Sequence, residues 1–99
     1  MTDPDHVMRE LYEVIEARKE SMPPDSYTAS LFSHDRGENA VLEKIGEEST
    51  EVVLAGKDRD TDAIAHEAAD LVYHLLVLLV MNDMPLDALT EELAARRRP

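Results

Sequence analysis

The sequence predicts an all-α protein, a bundle of four main helices with short connections. Apolar residues recur at the three- and four-residue spacing of an amphipathic helix, and no segment shows the strict alternation of a half-buried strand. Clusters of proline, aspartate and asparagine separate these segments and are typical of helix ends. Because short connections favour antiparallel neighbours, the pattern indicates a helical bundle.

The first predicted helix begins beside Asp3 and Pro4, a pair typical of an N-cap and a first helical turn. It extends to about residue 21, and its apolar positions at helical spacing are Val7, Met8, Leu11, Val14 and Ile15. Four glutamates take the opposite, solvent-facing side: Glu10, Glu13, Glu16 and Glu20. Two prolines end the helix, and residues 27–33 are expected to form a short helix before a loop.

Two long helices and a last, shorter one follow. The first long helix covers about 38–56, with an apolar stripe of Val41, Ile45 and Val52. A polar turn leads to the second, over about 62–82, which Asp60 or Thr61 is expected to cap. This helix is apolar around its whole circumference, so it is predicted to be the most buried. Pro85 opens the last helix, whose apolar positions are Leu86, Leu89 and Leu93.

Length and composition narrow the function classes. Ninety-nine residues predict a single domain over residues 1–99, with a core small enough that a second copy is expected to complete it. The absence of cysteine excludes thiolate metal sites and thiol catalysis. The net charge of −12 argues against a nucleic-acid partner and suggests a salt-adapted host. An eleven-residue apolar run at 71–81 is too short to span a membrane, so we expect a soluble, cytoplasmic protein with no membrane partner.

Five carboxylates on the two long helices carry the main functional signal: Glu47, Glu48, Glu51, Glu67 and Asp70. The three on the first helix fall within an arc of about 100°, and the two on the second within about 60°. Like charges at such spacing destabilise a helix. Without a bound metal, hydration of a solvent-facing acidic stripe or interhelical salt bridges would have to offset the repulsion. Few cations are near in sequence, Lys44 excepted. A hard divalent cation bound by oxygen, Mg²⁺ or Mn²⁺, is therefore predicted.

A cluster of carboxylates around Mg²⁺ is typical of phosphoryl chemistry, because this ion is commonly shared between carboxylates and substrate phosphates. The sequence has no Walker-type glycine loop, since Gly46 is isolated within a predicted helix. His74 lies one turn beyond Asp70 and is expected in the core or behind the ligands rather than on the metal. The pattern favours metal-assisted hydrolysis of a polyphosphate.

The acidic pattern resembles the metal signature of the all-α NTP pyrophosphohydrolases, the MazG-like superfamily. Four longer strings, in order along the chain, are similar to the phosphoribosyl-ATP pyrophosphohydrolase family: LYEVIEAR at 11–18, SYTASLF at 26–32, KIGEESTEV at 44–52 and EAADLVYHLL at 67–76. The resemblance covers about residues 7–98. It implies hydrolysis of the α–β phosphoanhydride of phosphoribosyl-ATP to phosphoribosyl-AMP and pyrophosphate, with Mg²⁺ and a homodimeric bundle.

The resemblance also implies roles for individual residues. Four carboxylates correspond to metal ligands: Glu48, Glu51, Glu67 and Asp70. Glu47 is the candidate for positioning or deprotonating the attacking water. Lys44 is expected either to contact phosphate or to balance the acids. Three residues of a loop, Ser26, Tyr27 and Thr28, are expected to reach phosphate or ribose. The alternative is that Ser26 or Thr28 simply caps a short helix.

Two alternatives stay open at this point. The same fold and chemistry would suit a house-cleaning pyrophosphatase for canonical or damaged nucleoside triphosphates, although the chain has few aromatic residues to stack a base. A non-catalytic bundle that binds divalent ions is the third interpretation. A binder would weaken gradually as acids are lost, whereas a catalyst would lose orders of magnitude in rate.

Overall fold

A computed structural model of the chain describes residues 6–97. Within them are five α-helices and no strand: α1 (Val7–Ser21), α2 (Tyr27–Phe32), α3 (Glu38–Lys57), α4 (Thr61–Met81) and α5 (Leu86–Ala95). The all-α prediction of four main helices and one short one is confirmed. The predicted cap at Asp3 and Pro4 lies outside the described residues.

Helix α1 is amphipathic, but the face it buries is narrower than the apolar stripe predicted for it. Tyr12 and Ile15 are buried and the four glutamates are exposed, as expected. Val7 and Val14 remain exposed, because the neighbouring helices cover only part of the stripe. Met22 closes the helix with a left-handed φ of 48°, and its N–H donates to the carbonyl of Arg18.

The short helix α2 begins at a serine cap. Ser26 has an extended backbone, and its side-chain oxygen accepts a hydrogen bond of 3.1 Å from the N–H of Ala29. This contact satisfies one of the free N–H groups of the first turn. Ala29 and Leu31 then point into the core, so α2 packs against α1 and α3.

Helices α3 and α4 form an antiparallel hairpin because only three residues, 58–60, separate them. Asp60 is the cap of α4, as predicted, and its carboxylate accepts a hydrogen bond of 3.1 Å from the N–H of Ala63. Arg59, just before it, adopts a left-handed φ of 54° that turns the chain. The two helices make the most extensive helix contact among the described residues.

The core lies between α1, the C-terminal half of α4 and the start of α3. Its fully buried members include Ile15, Val41, Leu76, Val77 and Leu86. Helix α4 contributes the most buried residues, as expected, but they are concentrated in its second half. Burial of such apolar side chains is the main favourable term that holds the bundle together.

By length and composition, α4 is apolar enough to cross a membrane, with a mean hydropathy of 1.6 over its most apolar window. This differs from the sequence-based expectation, which considered 71–81 alone, because the helix also includes the alanines between 63 and 69. A core helix of a soluble protein meets the same criterion. Only 22% of the window is buried within the described chain, and most of its other apolar residues are partly covered.

Candidate active site

The acidic residues of the α3–α4 hairpin differ sharply in burial. The Glu48 side chain is only 13% exposed, whereas that of Asp70 is 45% exposed and that of Glu47 66%. Glu67 is half-buried and Glu51 is exposed. Glu48 is therefore the member of the predicted cluster that the fold takes out of water.

Glu48 meets a buried imidazole across the hairpin. Its Oε1 lies 2.7 Å from Nδ1 of His74, whose side chain is 6% exposed. The direction of this approach does not suit a hydrogen bond, and Oε1 is a buried oxygen without a hydrogen-bond partner. A buried carboxylate oxygen in this position retains part of its desolvation cost, so it favours an additional positive charge nearby.

The electrostatics of Glu48 point in the same direction. Burial raises the pKa of the Glu48 carboxyl, and repulsion from Asp70 adds to the rise, while His74 and Lys44 oppose it. Two carboxylates that repel each other in a partly dehydrated site stabilise a bound cation, because the cation relieves both the repulsion and the loss of hydration.

His74 is fixed by contacts at both ring nitrogens. Nδ1 lies 3.0 Å from the backbone carbonyl oxygen of Asp70, and Nε2 lies 3.1 Å from the hydroxyl of Tyr27. The carbonyl can only accept, so the proton belongs on Nδ1, and the neutral ring then accepts the Tyr27 O–H at Nε2. Burial raises the pKa of Tyr27, and the nearby Glu48 and Asp70 raise it further.

The string predicted to contact substrate lies at the same end of the hairpin, with its polar groups already engaged. Ser26 is the cap of α2, which was one of the two interpretations left open for it. The Thr28 hydroxyl forms a short hydrogen bond with the hydroxyl of Tyr73. Tyr27 is 53% exposed and stacks on Tyr73 with ring centroids 6.3 Å apart. A substrate contact by these three residues stays a prediction.

Two exposed basic groups accompany the acids. Lys44 Nζ lies 3.8 Å from Glu47 Oε2 on the outer part of α3, so the lysine does balance an acid. His66 Nε2 lies 3.5 Å from Asp70 Oδ2, one turn apart on α4. These pairs are more than two-fifths exposed on both sides and contribute little to stability.

The predicted ligand set is only partly assembled. Glu48 and Asp70 approach each other closely enough to affect titration, but among residues 6–97 no three acidic or histidine side chains gather tightly enough to hold an ion. The buried, unpartnered oxygen of Glu48 and its repulsion by Asp70 nevertheless fit a hard cation. The assignment of Glu51 and Glu67 as further ligands stays a prediction.

A separate cavity has a volume of about 580 Å³, and none of the five acidic residues of the predicted cluster lines it. Its walls come from α1, from the end of α4 and from the residues that lead into α5, and include Arg9, Tyr12, Lys19, Asp83 and Met84. Its cations are already paired with carboxylates, so the cavity offers no free charge for a phosphate.

Sequence reasoning missed two neighbours of the site, Tyr73 and His66. The spacing of His66 and Asp70, four residues on a helix, was a sufficient signal for their contact. Nothing in the sequence pairs Tyr73 with Thr28, because that contact depends on how α2 lies against α4.

An all-α chain with its acidic residues gathered on two adjacent helices is consistent with the class of MazG-like pyrophosphohydrolases. The sequence pattern of one family within that class, phosphoribosyl-ATP pyrophosphohydrolase, matches residues 8–97. The chain belongs to this family, as the four strings indicated.

Individual relatives are similar in sequence to this chain over nearly its whole length. A phosphoribosyl-ATP pyrophosphatase of Haloarcula marismortui is 63% identical over 95 residues, which cover 96% of this chain and 97% of the relative. One from Natronomonas pharaonis is 65% identical over 95 residues, which cover 96% of this chain and 94% of the relative. One from Halobacterium salinarum is 60% identical over 98 residues, covering 98% and 100%.

Proposed function

We propose that this chain hydrolyses phosphoribosyl-ATP to phosphoribosyl-AMP and pyrophosphate, the second step of histidine biosynthesis. The observation that carries the proposal is the match to relatives of that name at 60–65% identity over nearly the full length of both chains. The reaction takes place in the cytoplasm and uses one domain, residues 1–99. Neither nucleic acid nor a membrane is needed as a partner.

The cofactor in this proposal is Mg²⁺, with Mn²⁺ as a substitute. The residues that would hold it are Glu48, Glu51, Glu67 and Asp70. Bound there, it would supply charge neutralisation for the polyphosphate and orientation of the attacking water. The unpartnered oxygen of Glu48 and the repulsion between Glu48 and Asp70 support the two central ligands. Carboxylate oxygens are the donors that this hard cation prefers.

Glu47 positions or deprotonates the attacking water in this proposal. Its side chain is 66% exposed, so it is accessible to a water, and its neighbour Glu48 is held on the buried side of the same helix. The exposed ammonium of Lys44 lies 3.8 Å from Glu47 Oε2 and is also accessible to substrate phosphate.

Substrate recognition falls to the start of α2. Tyr27 and Thr28 contact residues of α4 next to the acids, and Ser26 precedes them as the cap of α2. These contacts support a role for the three residues in binding substrate. The exposed Tyr27 ring and the hydroxyl of Thr28 are suited to ribose or phosphate oxygens.

The proposed active form is a homodimer. Many apolar residues of helix α4 are only partly covered, and α3 exposes Leu42, Val53 and Leu54. Exposed apolar surface of this extent on a small chain is typical of an interface. A second copy packed on the hairpin would also shield the acidic residues that are exposed in one chain alone.

The experiment is pyrophosphate release from phosphoribosyl-ATP, from ATP and from a panel of dNTPs, each with Mg²⁺ and with a chelator. We expect Mg²⁺-dependent turnover confined to phosphoribosyl-ATP. Preference for an ordinary triphosphate would assign the chain to the house-cleaning pyrophosphatases instead. Absence of turnover together with tight Mg²⁺ binding would favour the non-catalytic ion-binding bundle.

A further inference from the structure

His74 occupies a position that the proposed reaction does not by itself explain. It is the one buried polar or charged residue among the described residues, at 5% exposure, and it lies in the middle of the most apolar helix. A buried imidazole needs partners for both nitrogens. Here the partners are the hydroxyl of Tyr27, the carbonyl of Asp70 and, at contact distance, the carboxylate of Glu48.

These contacts join three separate elements at one ring. Tyr27 belongs to α2, Glu48 to α3 and Asp70 to α4. The ring also lies edge-on to Tyr73, with centroids 4.9 Å apart, and edge-on to Tyr27 at 6.1 Å. Two aromatic neighbours and three polar ones leave the imidazole little freedom to rotate, so its Nδ1 is a fixed point against which Glu48 lies.

We propose that His74 and Tyr27 are positioning residues for Glu48. The Asp70 carbonyl keeps the proton of His74 on Nδ1, and the Tyr27 hydroxyl holds the other side of the ring at Nε2. The imidazole fixed in this way lies 2.7 Å from Glu48 Oε1 and confines that carboxylate to the orientation that brings it toward Asp70. An imidazole between a hydroxyl group and a carboxylate orients the carboxylate and limits the rotamers it samples. This inference rests on the proposed function in one respect, namely that Glu48 binds the metal.

The consequence is a preorganised ligand rather than a mobile one. Glutamate has three side-chain torsions, and ordering them when an ion binds costs conformational entropy. The contact with His74 restricts those torsions before the metal arrives, so loss of the contact weakens metal affinity. The rate of the fully loaded enzyme changes much less, because the metal once bound restores the geometry.

The test measures Mn²⁺ and Mg²⁺ binding by calorimetry on the full chain without substrate, beside the metal dependence of turnover. His74→Leu removes both ring nitrogens and keeps an apolar side chain. We expect its metal Kd to rise by about ten- to hundredfold, while kcat at saturating metal falls far less. Tyr27→Phe, at a largely exposed position that tolerates the change, should raise the Kd by a smaller factor.

Two further variants separate positioning from packing. The amide of His74→Asn places an N–H close to the position of Nδ1, so it should recover most of the affinity that His74→Leu loses. Leu76→Val trims a fully buried side chain on the same helix, so it should lower the melting temperature without changing the metal Kd.

An unchanged metal Kd in both His74→Leu and Tyr27→Phe, in a chain that still hydrolyses phosphoribosyl-ATP, would overturn the positioning role alone. Metal binding that depends on His74, in a chain that does not hydrolyse phosphoribosyl-ATP, would support the positioning role and overturn the proposed function. Equal losses of affinity in His74→Asn and His74→Leu would also count against it, because a donor at Nδ1 would then have no effect.

Discussion

Just beyond the C-terminal end of α4 the carboxylates pair with a lysine and an arginine, whereas near its middle Glu48 and Asp70 lie against histidines. Asp83 lies 3.1 Å from Lys19, and Asp87 lies 2.5 Å from Arg9. Glu48, by contrast, is the more deeply buried acid, and its one ion-pair contact within residues 6–97 is with an imidazole. Both regions contain acids close to the core, but only the second leaves a buried oxygen without a hydrogen-bond donor.

The difference separates two uses of charge. The carboxylates paired with Lys19 and Arg9 connect α1 to the loop and helix that follow α4. Because they are already paired with basic side chains, these carboxylates need no added cation. We expect the acids of the hairpin to reduce stability on their own and to be stabilised by a bound cation. The cavity of about 580 Å³ lies beside these paired acids, apart from the acidic residues of the hairpin.

The largest effect is expected from neutralising Glu48. Glu48→Gln removes a proposed metal ligand and should lower kcat/KM by about 10²–10³ or more, since metal assistance supplies several kcal/mol. The same change removes a buried charge repelled by Asp70, so the metal-free protein should melt no lower than the parent. Steady-state kinetics measure the loss of kcat/KM, and thermal melts in the presence of a chelator measure the stability of the metal-free protein.

The matched control for this change is Glu43→Gln. Glu43 lies on the same helix, is 53% exposed in its side chain and pairs with Arg36. Turnover should remain within about twofold of the parent, because exposed surface pairs contribute little. If Glu43→Gln and Glu48→Gln lost activity equally, general charge rather than the buried ligand would be responsible.

Divalent ions should stabilise the folded chain through the acidic residues of the α3–α4 hairpin. At a hundredfold excess over its Kd, Mg²⁺ should raise the free energy of unfolding by about 2.7 kcal/mol, because it binds only the folded chain. Melting curves with and without millimolar Mg²⁺ measure the gain, and Glu48→Gln should abolish most of it. No shift in the parent protein would argue against a preformed site.

A smaller effect, on stability and not on activity, is expected where α1 contacts the residues that follow α4. The buried Tyr12 hydroxyl donates a hydrogen bond of 2.5 Å to the carbonyl of Met84. Tyr12→Phe leaves that carbonyl without its donor and should lower the free energy of unfolding by about 1–2 kcal/mol. Urea denaturation measures the loss, while kcat/KM and the gain from Mg²⁺ should stay at parental values. A large fall in turnover would contradict the division between the two regions.

The smallest effect should follow from breaking the pair of Arg9 and Asp87. Both side chains are about half exposed, so Arg9→Gln should change the free energy of unfolding by at most about 1 kcal/mol. Salt screens such a pair, and the difference from the parent should shrink further at high ionic strength. The measurement is a pair of denaturation curves at low and high salt; a difference that grows with salt would contradict it.

Much of the fold was predictable because local signals agreed with one another. Apolar spacing placed the end of α1 and both ends of α3 and α4 to within about a residue, and Asp60 was identifiable as the cap of α4 from its position before an apolar run. The approach of Glu48 to Asp70 followed from two acidic faces on consecutive antiparallel helices.

What the sequence did not reveal depends on the rotation of one helix against another. Whether His74 turns toward Glu48 is decided by packing across the hairpin, and the pairing of Thr28 with Tyr73 by the placement of α2. Val7 and Val14 belong to a helical stripe in the sequence but remain exposed, because the width of the contact depends on its neighbours.

The short turn at 58–60 has a consequence for the order of folding. Both acidic clusters lie on one hairpin whose contacts are close in sequence, so closing it costs little loop entropy and belongs to the fast, local part of folding. The same closure brings like charges together and is opposed by their repulsion. We therefore expect the site to be among the first parts of the chain to form when divalent ions are present, with the helices at either end docking onto it afterwards.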